Sequence, residues 1–200
     1  MSYDNALITG KLHRWRKYME NFTLPEWDEI PDLGLYMEQV TALLRQYLDY
    51  LPPELKEEQF ITASTINNYV RMKVMPKPHK KRYYRIHIVY LIVICTLKQG
   101  LSLSLVQKIL PCGISDESVR KIYTAYAVRH RAATRYFISR VESVCAPMFT
   151  GKAADDMSVE KPEELITASA VVGSFARLLA EKLLLLEGHT LKNGGPIEAD

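Results

Sequence analysis

Five cations, Lys77, Lys80, Lys81, Arg82 and Arg85, crowd into nine residues around Pro76 and Pro78. Just upstream runs Thr62-Ala-Ser-Thr-Ile-Asn-Asn-Tyr-Val-Arg71, rich in small polar side chains. From Gln59 to Ser115 there is no Asp or Glu, and nine Lys and Arg give the window a charge of +9. That leaves −6 for the rest of a chain whose net charge is +3. Clustered cations repel one another and cost stability unless an anion compensates. The usual polyanion is a phosphate backbone.

A duplex reader needs short polar groups at base edges and cations on the flanking phosphates. Ser64, Thr65, Asn67, Asn68 and Arg71 have the composition of a base-reading helix face. An Asn there has the geometry for a bidentate contact with adenine. Lys73, Lys77, Lys80, Lys81, Arg82, Tyr83 and Arg85 are the candidates for phosphate and wing contacts, so double-stranded DNA is the expected partner.

Other chemistries find little support. His13, His79, His87, His130 and His189 stand apart, and no Cys-x-x-Cys occurs. No Walker or dinucleotide pattern is present, and Gly194-Gly-Pro belongs to the C-terminal tail. The expectation is a protein that is not an enzyme and holds no metal or cofactor. His87 and Cys95 read as core residues. Three widely spaced cysteines imply no disulfide framework, so a cytoplasmic setting is expected. Residues 1–20 carry no export pattern. The longest apolar run, Ile86 to Leu97, falls short of the ~20 residues of a membrane span.

These residues must be positioned by helices. Residues 1–23 predict one helix, with Leu7, Leu12, Trp15, Met19 and Phe22 on a stripe, followed by a connector holding Pro25, Trp27 and Pro31. A second helix is expected from Leu35 to Leu51, stopped by Pro52 and Pro53, with a loop to Phe60. Thr62 or Ser64 caps a third, with Ile66, Tyr69 and Val70 inward. Residues 77–84 read as a short basic turn or hairpin, and 84–99 as a helix with a strand as rival. Ser102 or Ser104 caps a short helix to Leu110. Ser115 caps a long one to about Cys145, ~45 Å of apolar stripe that must meet other helices or a second chain. Residues 150–162 read as a linker. In a last helix, about Pro162 to Glu187, the run Leu183–Leu186 predicts burial on two sides.

Several landmarks fall in the order of the winged helix-turn-helix of MerR-type regulators. They are Thr62-Ala-Ser-Thr-Ile-Asn-Asn-Tyr69, Val74-Met-Pro76, Arg82-Tyr-Tyr84, Leu91 with Ile94, and Gly100-Leu-Ser-Leu103 with Val106. Over these fifty or so residues the chain resembles that family. It departs from the pattern at Val70, where an acid is usual, and at Lys73, where glycine is usual. The helix from Leu91 to Gly100 is one residue short, and the elements before Thr62 are longer. The wider layout, with Leu24-Pro-Glu-Trp-Asp-Glu-Ile-Pro, Leu35-Tyr-Met-Glu-Gln-Val and Ile66-Asn-Asn-Tyr-Val, is more similar still to a bacterial family known as domain of unknown function 1836. That likeness spans most of residues 24–145 and implies a regulator-like fold without a known target.

The expected architecture is mainly α, a MerR-like winged helix-turn-helix with a small β-wing plus a flanking helical bundle. Residues 1–33 would be an N-terminal helix and connector, 34–112 the winged head, 113–188 the dimerisation bundle and 189–200 a flexible tail. The expected function is transcriptional regulation by a homodimer, with no membrane association and with room for a small-molecule effector. The alternatives are a protein-interaction module that lost DNA binding and a ligand sensor with a pocket lined by Tyr123, Tyr126, Phe137 and Phe175.

Overall fold

A computed structural model describes residues 5–49, 61–150 and 158–187. The expected loop before Phe60, most of the 150–162 linker and the tail from His189 lie outside the described residues. Seven α-helices are present there: α1 (Asn5–Asn21), α2 (Met37–Tyr47), α3 (Ala63–Arg71), α4 (Arg85–Leu97), α5 (Leu103–Ile109), α6 (Asp116–Thr150) and α7 (Pro162–Leu185). A 3-10 turn covers Trp27–Glu29. Among the described residues no strand forms. β pairing is limited to two isolated antiparallel bridges, Leu35 with Tyr83 and His79 with Arg82. No described helix is long and apolar enough to cross a membrane.

The chain divides into two compact units. One is residues 23–129; the other joins residues 1–22 to residues 130–200. The connector and the first half of α6 therefore belong with the head, and the reason is a set of specific ties. Tyr123 of α6 is fully buried and donates to the Pro25 carbonyl at 2.7 Å. Tyr126 and Thr96 of α4 share a hydroxyl–hydroxyl bond at 2.5 Å. Asp28 accepts from Arg120 at 2.9 Å and pairs with Arg85 at 3.5 Å.

Within the 23–129 unit, α4 is the central element. Every residue from His87 to Cys95 is buried, so the helix is apolar on all sides and α2 and α5 pack against it. β-branched residues weaken helix propensity by only tenths of a kcal/mol each; burial all round outweighs that, and the strand alternative fails. α2 buries Val40 and Leu44, and α3 buries Ile66 and Tyr69. The core Tyr90 keeps its hydroxyl paired, donating to the Pro111 carbonyl at 2.6 Å.

The other unit buries less. Trp15 of α1 meets Phe137 of α6 edge-on, with centroids 6.0 Å apart. Met19, Ile138 and Cys145 are buried. α6 continues through Pro147 rather than ending near Cys145. The N–H of Val159 donates to the Val144 carbonyl at 2.9 Å, bringing the returning chain back to α6. α7 starts at Pro162, with Glu164 accepting from the amides of Glu160 and Lys161 at 2.9 and 3.1 Å. Contrary to the expected burial on two sides, Leu183 and Leu185 are exposed, as are Ile166, Val171, Phe175, Leu178 and Leu179.

Candidate nucleic-acid interface

α3 is fixed at both ends by its own sequence. The Thr62 hydroxyl accepts the Thr65 N–H at 3.0 Å and caps the first turn. At the other end Lys73 takes φ +56°, its N–H reaching the Val70 carbonyl at 3.1 Å, while Val74 N–H reaches the Tyr69 carbonyl at 2.9 Å. This is a Schellman closure, and both Val74 and Tyr69 are buried. The left-handed position is the one where the MerR pattern has glycine.

With Ile66 and Tyr69 inward, the outer face of α3 is a concave surface lined by Thr62, Ser64, Thr65, Asn67, Asn68 and Arg71. Ser64, Asn67 and Arg71 are exposed; Thr65 and Asn68 are half-buried. Arg71 donates to the Asn68 side-chain carbonyl at 2.7 Å, so these two present a joined set of donors and acceptors. Thr65 shares its hydroxyl with Thr62 at 2.9 Å. Beneath, Lys98 donates to the Tyr69 hydroxyl at 3.2 Å. Burial pushes the Tyr69 phenol up, and Lys98 partly opposes it.

The basic turn after α3 is tighter than a wing built of strands. Arg82 N–H donates to the His79 carbonyl at 2.8 Å across Lys80 and Lys81, whose φ values are +47° and +63°. Two successive left-handed residues define a type I′ turn, which ordinarily takes Asn-Gly. Lys73, Lys80 and Lys81 are the non-glycine residues with positive φ in the described chain. Both turn lysines are exposed, as are Lys73, Lys77 and Lys108. A cleft lined in part by Val70, Lys73, Lys77, Gln107 and Cys112 lies at the C-terminal end of α3, and Gln107 donates to the Lys73 carbonyl at 2.9 Å.

Three residues expected at the phosphates are instead engaged by the chain itself. The Arg82 guanidinium lies 3.6 Å above the Tyr36 ring and donates to the Gly34 carbonyl at 2.9 Å and to the Tyr36 hydroxyl. A Cβ on Gly34 would come within 3.2 Å of the Tyr84 hydroxyl and 3.3 Å of Arg82, so any larger residue would make these two side chains give by a few tenths of an ångström. Arg85 donates to the Ile30 carbonyl at 2.7 Å and pairs with Asp28. Tyr83 is 3 % exposed and pairs its backbone with Leu35 at 2.8 and 2.9 Å. Arg82, Tyr83 and Arg85 thus help position the turn, Tyr83 buried and the two arginines half-exposed. Their partners lie some fifty residues upstream, where no local pattern announces them.

His87 was the least obvious contributor. It is 5 % exposed, accepts the Tyr84 N–H at Nδ1 (3.0 Å) and donates from Nε2 to the Lys77 carbonyl (3.0 Å). One imidazole therefore ties the start of the basic turn to the start of α4. Among the described residues no group of His, Cys, Asp and Glu is placed to hold a metal.

No curated protein and no solved structure matches the chain. The family described as "Domain of unknown function (DUF1836)" matches residues 25–127, which nearly coincide with the compact unit of residues 23–129. Since that match covers more than half of the 200 residues, the chain belongs to this family.

Proposed function

We propose that the 23–129 unit binds double-stranded DNA as a winged helix-turn-helix of MerR-like type, with α3 in the major groove. Ser64, Thr65, Asn67, Asn68 and Arg71 read bases. Lys73, Lys77, Lys80 and Lys81 hold phosphates, and Arg82, Tyr83 and Arg85 brace the turn from behind. The role in the cell is transcriptional regulation, and no catalytic step is assigned.

The observation that carries this reading is the backbone at three lysines. Lys73, Lys80 and Lys81 all occupy left-handed positions that glycine or asparagine fills with less strain. Such positions cost of order 1 kcal/mol each for a non-glycine residue. Charge is kept there at the expense of stability, on a segment with no acid to neutralise it. A polyanion laid across the end of α3 and the turn compensates both costs.

The test is selection of bound sequences from random duplex DNA with the full chain, with Asn67→Ala/Arg71→Ala, and with Lys80→Asn/Lys81→Gly. Wild type should enrich a defined site. The α3 variant should lose sequence preference, and the turn variant should lose affinity uniformly while folding more stably. Absence of enrichment by wild type, or equal enrichment by all three, contradicts the proposal.

One observation favours an effector acting on the same protein. A groove of about 300 Å³ in the other unit is lined chiefly by Tyr136, Phe137, Val141, Val144, Leu165 and Val172. Of the residues expected around a pocket, Phe137 is in it. Tyr123 is a core residue of the 23–129 unit, Tyr126 is half-buried in the same unit, and Phe175 is 67 % exposed.

A further inference from the structure

α7 leaves its apolar side in water. Val171, Phe175, Leu178 and Leu185 are 46, 67, 47 and 48 % exposed. The groove beside α6 is lined from α7 by Leu165, Ala168, Ser169 and Val172. Exposed aliphatic and aromatic residues in one contiguous row mark a contact surface.

The row has a regular order. Glu164, Ala168, Val171, Phe175, Leu178, Lys182 and Leu185 follow at alternating steps of four and three residues, the spacing that keeps one seam facing a partner helix. It opens with an acid and nears its end with a base. We infer that α7 pairs antiparallel with α7 of a second copy, about a two-fold axis level with Gly173.

In that register the opposed pairs between Glu164 and Lys182 are complementary, while Leu185 falls opposite Lys161. Glu164 meets Lys182 of the second copy, Ala168 meets Leu178, and Val171 meets Phe175; the two-fold then repeats each pair. Small faces large, acid faces base, and the same patch serves both copies, as a closed isologous interface requires. A parallel pair would set Glu164 against Glu164 and Lys182 against Lys182. Glu164 already accepts two backbone amides through one carboxylate oxygen, which holds its carboxyl below the usual range and keeps it charged. On the far side of α7, Arg177 and Glu181 pair with each other at 2.8 Å. This interface does not depend on the DNA reading.

Sedimentation equilibrium of the full chain, without nucleic acid, tests it. Wild type should sediment at twice the 22.9 kDa chain mass. Phe175→Asp/Leu178→Asp should sediment as single chains with an unchanged helical circular dichroism signal, association falling by ~100-fold or more. Lys182→Glu should weaken association by roughly tenfold, because two end contacts become repulsive. An equal mixture of Lys182→Glu with Glu164→Lys should associate more tightly than either alone, since both end contacts are then attractive. Wild type at single-chain mass, a Phe175→Asp/Leu178→Asp variant still at double mass, or a mixture no tighter than its components would overturn the antiparallel pairing.

Discussion

The 23–129 unit and the unit formed by residues 1–22 and 130–200 are both helical, but they bury their apolar residues differently. In the first, α4 is covered on every side and each core tyrosine hydroxyl quoted above has an acceptor or donor. In the second, α7 carries a comparable density of Leu, Val and Phe, and much of it faces solvent. A sequence rich in apolar residues at helical spacing does not say whether its own chain supplies the cover. The unit that completes its core is the one the family match outlines, and the other leaves apolar residues of α7 in solvent.

That contrast sets the largest expected mutational effect. Leu91→Ala, in the middle of α4, should cost the 23–129 unit about 3–5 kcal/mol in denaturant unfolding. Leu179→Ala, at 59 % exposure on α7, should cost the dilute chain under about 0.5 kcal/mol. Similar losses at both would mean that α7 is covered within one chain.

Next in size is the brace beneath the turn. His87→Leu leaves the Tyr84 amide and the Lys77 carbonyl without their imidazole partner and should cost about 2 kcal/mol. Hydrogen exchange at residues 77–84 should rise with it; unchanged protection would show that the imidazole does not hold the turn.

The two units should also fail on opposite sides of neutrality. Burial pushes Tyr90 and Tyr126 up to about 12, so both stay protonated in the fold while unfolded tyrosines ionise near ~10. Their folded values are raised, so stability of the 23–129 unit is lost as pH climbs from about 10 towards 12. Burial lowers His130 in the other unit, so the unfolded chain binds that proton first and stability falls as pH drops below ~6.5. Stability against pH for His130→Phe should lose the acid limb and keep the alkaline one. An unchanged acid limb would remove His130 as its source.

The smallest effect concerns thiols. Burial holds Cys95 up at about 12, whereas Cys112 is raised but partly accessible beside Lys73 and Lys77. A thiol reagent should label Cys112 first, and Cys95 only on unfolding. Early labelling of Cys95 would contradict the closed core.

Much of this organisation was legible locally. Thr62 as one of two candidate caps, Ile66 and Tyr69 as inward residues, and the polar outer face of α3 follow from spacing within one helix. The identity of α4 needed its neighbours, because nine buried residues in a row carry no amphipathic period. Which cations face outward was not legible either. Arg82 and Arg85 look like Lys80 and Lys81 in sequence, yet their partners Gly34, Tyr36, Ile30 and Asp28 lie far upstream. Conversely, the lysine at 73 reads as a departure from a glycine pattern until its positive φ is seen. It then becomes a charge held where glycine is easier.

The central claim is that strained lysines serve a polyanion, and a salt titration of duplex-DNA affinity tests it most directly. Wild type should lose affinity with log salt at ~0.9 log units per neutralised phosphate. Lys80→Asn/Lys81→Gly should bind more weakly, lower that slope by up to about 1.8 and raise the unfolding free energy by about 1–2 kcal/mol. Equal slopes and affinities for the two proteins, or no salt-dependent binding by wild type, would contradict the account.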